Sequence, residues 1–172
     1  MADTLTTLKT RRSCHAYKPE HIEEEKLNAI VEAGTYAATG IGKQSPIILV
    51  IKNREVYNKL KKMNAAVMGV DMDPFYGAPD LVVVLANKAV PTYLYDGSLV
   101  MGNMMNAAAS LGVASCWIHR AKEEFESEEG KAILKKLGIE GDYEGIGNLI
   151  LGYAAKPAAE PAPRKAGYVY TI

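Results

Sequence analysis

Arg11-Arg12-Ser13, with His15 two positions on, and Arg164-Lys165 near the other terminus are the compact basic spots of a chain whose 20 Lys and Arg balance 20 Asp and Glu. Forked guanidinium groups grip phosphate through paired hydrogen bonds, and a serine hydroxyl with neighbouring backbone N–H groups adds donors. The pattern suits a local dianion site. On composition alone, solvated surface charge is the commoner reading of such basic pairs.

A second stretch, Ala38 to Pro46, places Gly40 and Gly42 before Lys43 as a phosphate loop would. It fails that reading three times over. Ala37 stands where the first glycine is required, Gln44 stands where Ser or Thr should follow the lysine, and the segment follows a helix and precedes a strand rather than the reverse. Cys14 adjoins His15, and Cys116 lies three residues before His119. No C-x-x-C or H-x-x-x-H spacing supports zinc, so no metal is expected, and structural rather than nucleophilic cysteines are the expectation. His119 can serve as a proton donor or as the wall of a pocket.

The zero net charge removes a global pull toward nucleic acid or anionic membrane. The N-terminus has no apolar signal core, and the longest nearly apolar run, Leu99 to Leu111, is too short to span a bilayer and contains Asn103 and Asn106. A soluble, cytoplasmic protein is expected, reduced at both cysteines.

The elements that must position these residues follow from periodicity. The 172 residues suit a single domain over 1–172. Leu27, Ile30, Val31 and Gly34 mark a helix over Glu20 to Gly34, and Pro46 to Ile51 is a continuous apolar run, the pattern of a strand covered on both faces. Asn53 caps a second helix whose stripe is Val56, Leu60, Met63 and Val67. Leu81 to Lys88 is a β-branched strand. Asp96 to Leu111 is a helix without internal charge, apolar on nearly all sides; small residues at Gly97, Gly102, Ala107 and Ala109 would permit close packing at the centre of the domain or at a subunit contact. A strand over Val113 to Ile118, a charged helix from Ser127 and a strand over Ile146 to Tyr153 complete the pattern, an α/β or α+β sheet with helices on both faces. Ala154 to Gly167, with three prolines, reads as an extended connector to a terminal strand, Tyr168 to Ile172, and could reach a second subunit across up to roughly 45 Å.

Taken in order and spacing, "RRSCHAY", "AATGIGKQSP", "YGAPDLVVVLANK", "DGSLVMGNMMNAAASLGVASCWI" and "NLILGY" followed by "PRK" resemble the FMN-dependent nitroreductases over nearly the whole chain. The resemblance implies a three-layer α+β fold with a mixed or antiparallel central sheet. It also implies a homodimer with FMN at the subunit interface and C-terminal segments, here 154–172, exchanged between subunits. It assigns Arg11, Arg12, Ser13, Arg164 and Lys165 to the FMN phosphate and polar tail, with His15 where the family has Arg or Lys. Ala38, Thr39, Gly40 and Gln44 match a loop that packs on the flavin of the other subunit. That loop departs from the family at Ala38, Gly42 and Ser45-Pro46, which replace proline, asparagine and Pro-Trp. Trp117, Ile118 and His119 match the strand end beside the ring, where a backbone N–H of Ile118, His119 or Arg120 would face flavin N5, and Asn64 would reach the pyrimidine edge. The implied activity is hydride transfer from NADH or NADPH, through the flavin, to nitroaromatics, quinones or related acceptors by a ping-pong route. A flavin-binding redox sensor or storage protein of the same fold, and a structural dimer without cofactor, are the alternatives.

Overall fold

The computed structural model describes residues 3–172. Four strands, β1 (Pro46–Val50), β2 (Asp80–Asn87), β3 (Ala114–Ile118) and β4 (Tyr143–Gly152), form one sheet in the order β1-β2-β4-β3. Every neighbouring pair is antiparallel, so the sheet is not mixed; the one parallel element is an isolated bridge between Ser13 and Ser115.

The alternation of β2 explains why helices cover both faces. Val82, Val84 and Ala86 point to one side, where they meet Leu27 and Ile30 of α2 (Glu24–Thr35) and Val100, Met101 and Met104 of α4 (Tyr93–Ser110). Leu81, Val83 and Leu85 point to the other, against Tyr57 and Leu60 of α3 (Arg54–Met68), Phe125 of α5 (Ala121–Glu126) and Leu134 of α6 (Glu128–Lys136). A strand apolar at every position is what a two-faced core requires. The result is a three-layer α+β architecture, and α1 (Thr4–Thr10) lies against α4.

Local rules set most boundaries. Asn53 caps α3 by accepting from the N–H groups of Glu55 and Val56 at 2.8 and 3.1 Å, and Ser127 caps α6 by accepting from Gly130 at 3.1 Å. α2 begins at Glu24, four residues later than its acidic run suggests. Asp80 is the cause: its carboxylate takes the Ile22 N–H at 2.9 Å and meets His21 Nδ1 at 2.7 Å, holding that stretch out of the helix. The buried stripe of α3 is Tyr57, Leu60 and Asn64, and Val67 is exposed. α5 is short and fell below the reach of periodicity.

β1 is an edge strand, half-buried over Pro46, Ile47 and Ile48, buried at Leu49 and exposed at Val50, not covered on both faces as its composition suggests. α4 is central, touching all four strands as well as α1 and α2. A Cβ on Gly97 would lie 2.5 Å from Ile146, so close packing there needs glycine, whereas Gly102 faces open space. The tail after Tyr153 is extended and exposed, and Tyr168 to Ile172 forms no strand within the chain. A terminal strand needs a neighbour, and this chain supplies none to it.

Candidate functional site

The N-terminal basic motif is built onto the β3 edge of the sheet. Asp3 caps α1, and Arg11 ends it with its N–H on Thr7 O at 2.9 Å. The chain then runs beside β3, with Cys14 N–H donating to Ser115 O at 3.0 Å. Lys18 N–H donates to Tyr153 O at 2.8 Å and Ala155 N–H to Ala16 O at 2.9 Å, which wedges the segment between β3 and the start of the tail.

These contacts enclose a cavity of about 570 Å³ lined by Arg11, Arg12, Ser13, His15 and, from the other wall, Gly112, Ser115 and Lys156. Arg12 Nη1 donates to Lys9 O at 3.0 Å and to Arg11 O at 2.6 Å, yet Arg12 Nε and Arg11 Nη1 are buried with no hydrogen-bond partner. A buried donor left unpaired costs about 1–3 kcal/mol, more for a charged group, so these two nitrogens, on residues that line the cavity, stand to gain from an acceptor. His15 stands edge-on to Tyr76 with ring centroids 4.7 Å apart, and its Nε2 is 3.6 Å from Cys116 Sγ. Tyr76 was not singled out from sequence; its signal is the tight turn in which Asp73 accepts from Phe75 and Gly77 N–H, leaving Tyr76 at φ 52°.

The second group of residues sits on a clamped loop. Asp96, 2% exposed, accepts from Gly40 N–H at 3.0 Å, Ser45 Oγ at 2.8 Å and Thr92 Oγ1 at 3.1 Å. Gln44 N–H donates to Thr39 Oγ1 at 3.1 Å, closing a single 3₁₀ turn over Gly40–Gly42. Ile41 and Gln44 are held at φ 46° and 49°, a region costly for a β-branched residue, and Ile41 is 92% exposed at the tip. Asp96 is therefore more than the start of a helix, the reading its position suggests. Thr39 and Gln44 border a different cavity, of about 440 Å³, with Val31 and Val100. One chain does not bring Ala38, Thr39, Gly40 and Gln44 to the arginine cavity.

The third group ends β3. Ile118 is buried and His119 exposed; Trp117 stacks on His119 at 6.2 Å between centroids and 30° between planes, with its indole N–H buried and unpartnered. Asn64 is wholly buried, and its amide is spent inside the chain. Its Nδ2 donates to His119 O at 2.7 Å and to Glu124 Oε1, while its Oδ1 accepts from Arg120 Nε at 3.0 Å. Asn64 thus supports the turn that follows β3. Glu124, 1% exposed, also accepts from Asn148 Nδ2 at 3.0 and 3.1 Å. Burial pushes its carboxyl up to about 7, against the opposing pull of the Asn64 and Asn148 amides and Arg120.

Both cysteines are free thiols, and burial raises the pKa of Cys116, which suits a structural role. Arg164 is exposed and donates through Nε to Ala162 O at 3.2 Å, and Lys165 Nζ lies 5.4 Å from the Tyr168 ring centroid. Neither lines the Arg11 cavity of its own chain. Among the described residues, no cluster of His, Cys, Asp and Glu could hold a metal ion, and no helix is long and apolar enough to cross a membrane.

A sequence model of the Nitroreductase family matches residues 8–71. The fold is similar to a nitroreductase from Bacteroides fragilis solved with bound FMN, at 30% identity and TM-score 0.87 over 100% of both chains. A nitroreductase from Desulfitobacterium hafniense, also with bound FMN, matches at 27% identity and TM-score 0.87, again over 100% of each. An iodotyrosine deiodinase bound to FMN and 3-iodo-L-tyrosine shares the fold at 16% identity and TM-score 0.76, covering 99% of this chain and 100% of that one. A search of curated proteins finds no match. With full-length likeness to the Bacteroides fragilis nitroreductase added to the motif-bearing N-terminal match, the chain belongs to the nitroreductase family.

Proposed function

We propose that the protein is an FMN-dependent oxidoreductase that works as a homodimer, taking hydride from NADH or NADPH and passing it to a nitroaromatic, a quinone or a related electron-poor acceptor in two half-reactions. The observation that carries this reading is the pair of buried, unpartnered guanidinium nitrogens, Arg11 Nη1 and Arg12 Nε, in a cavity of about 570 Å³. A flavin phosphate supplies the acceptors these donors lack, and the relatives from Bacteroides fragilis and Desulfitobacterium hafniense were solved with FMN. The residues present fit the group. Arg11, Arg12 and Ser13 would hold the phosphate end, with His15 at its border, and the Trp117–Ile118–His119 strand end would flank the ring. When bound, FMN supplies the hydride-accepting and hydride-donating chemistry; the chain binds it, orients it and presents backbone N–H groups to its edge.

The second subunit enters through what one chain leaves unfinished. The loop of Ala38, Thr39, Gly40 and Gln44 borders no part of the arginine cavity, and Arg164 and Lys165 extend from an exposed tail. A partner copy supplies all of them to this chain's flavin in the proposed dimer. The tail's terminal residues Tyr168 to Ile172 then pair with the open edge of β1, beside an apolar groove of about 540 Å³ lined by Ile51, Val56, Ile133 and Leu137. The cytoplasm is the compartment in which Cys14 and Cys116 stay reduced.

The test begins with the visible absorbance spectrum of purified protein, before and after mixing with FMN, and continues with oxidation of NADH and of NADPH in the presence of a nitroaromatic or quinone. A yellow protein that turns over steadily supports the reading. Protein that stays colourless with FMN overturns the cofactor, and a single stoichiometric reduction without turnover overturns the enzymatic part.

A further inference from the structure

Beneath the last residues of β3, four elements converge on one carboxyl. Glu124 comes from α5, Asn64 from α3, Asn148 from β4, and His119 with Arg120 from the turn between β3 and α5. α5 reaches this depth because Gly145 of β4 has no side chain: a Cβ there would lie 2.1 Å from Ala121 O. Asn64 ties the group together, with Nδ2 on both His119 O and Glu124 and Oδ1 receiving Arg120 Nε. In a planar trans peptide the C=O and the next N–H point in opposite directions. Pinning His119 O inward therefore aims the Arg120 N–H away from the network, and that N–H finds no acceptor among the described residues. Arg120 itself is held at φ 78°, a left-handed conformation that a non-glycine residue keeps only when its surroundings impose it.

We propose that Glu124 is a positioning residue for the flavin edge: a proton-holding carboxyl that, through Asn64, fixes the His119–Arg120 peptide and sets the charge behind it. The inference rests on the FMN reading above. Both protonation states have partners. The ionised carboxylate accepts from the Asn64 and Asn148 amides, whereas the protonated acid can donate to Asn148 Oδ1, a buried acceptor with no other partner, once that amide rotates. The titratable and charged groups around it are few: the His119 imidazole, on the residue whose carbonyl closes the network, Arg120 and Glu123. Arg120 favours the ionised form and Glu123, on the same helix, opposes it. α3 and β4 present amides rather than charges at this point. The acid of β4, Glu144, is instead engaged by Lys122 at 3.4 Å, and Lys61 of α3 lies 3.7 Å from Asp73. Burial brings the carboxyl's midpoint to about 7, within reach of ordinary pH.

The experiment has a flavin-free arm and a flavin-bound arm. In flavin-free protein, amide NMR from about pH 5.5 to about pH 8.5, spanning the shifted midpoint, should show the His119 and Arg120 N–H signals titrating together. Glu124→Gln, an isostere of the protonated acid, should abolish that titration in a His119→Gln background, where the imidazole's own proton cannot move these amides. In FMN-loaded protein the variant's midpoint potential should match wild type at the acid end and be more positive at the alkaline end, where only wild type carries the extra negative charge. Amides that do not titrate overturn the proposal, and so do potentials that coincide at both ends. Should the Glu124 variant fail to fold, the amide titration of His119→Gln alone decides: its persistence supports the proposal and its loss overturns it. Wild-type protein that takes up no FMN fails the functional reading instead, a result separate from either outcome.

Discussion

The two edges of the sheet end differently. The β3 edge is closed from within the chain: Ser13 bridges Ser115, the segment to Lys18 is pinned to Tyr153 and Ala155, and a basic cavity results. The β1 edge has no such cover, and Val50 is 37% exposed beside an apolar groove. An open edge is a template for another strand. One edge is thus closed over a basic cavity by its own chain, and the other leaves hydrogen-bonding capacity for a strand from elsewhere. The chain's own spare strand-like segment, Tyr168 to Ile172, lies at the end of its exposed tail.

Removing residues 160–172 should break this asymmetry most, since it leaves the Ala155 contact and the cavity wall in place. A chain ending at 159 is expected to sediment as a monomer and to lose FMN on gel filtration; a shortened chain that stays dimeric and yellow would show that the open edge is irrelevant. Next in size is the stability of the closed edge against pH. The Glu124 carboxyl is raised in the folded state, so its stabilising contribution is complete below its unfolded value, near 4.5, and is lost as pH rises through about 7. The shift corresponds to about 3 kcal/mol at most, and thermal unfolding of wild type should decline across that window more steeply than that of Glu124→Gln. Parallel pH profiles for the two proteins would sink the assignment. Arg11→Ala should raise the FMN dissociation constant about 10- to 100-fold, as expected for a hydrogen bond to a charged group, with the unfolding temperature nearly unchanged. Calorimetric titration checks it, and an unaltered affinity removes Arg11 from the site. The smallest effect on the isolated chain belongs to Val50→Lys on the open edge, within about 0.5 kcal/mol, although the same charge should weaken the dimer.

Much of this was legible in residue order. The β-branched run of β2 announced a strand, and Asn53 and Ser127 announced the helices they open. What escaped has physical causes. β1 has the same composition as β2 but lies at an edge, and composition does not encode strand order. The late start of α2 depends on Asp80, 58 residues from the Ile22 N–H it accepts. Asn64 looked free for a ligand because its partners, His119, Arg120 and Glu124, are distant in sequence. Glu124 was not singled out from sequence. Its burial follows from the glycine at 145, a contact that no periodicity records.

The Asp96 clamp has one further consequence. With Gly40, Ser45 and Thr92 already tied to a single carboxylate, the loop that offers Ile41 to the outside is set before any visitor arrives. A flat molecule settling on it has little backbone freedom left to freeze, so its residence is governed by fit rather than by the cost of shaping its seat.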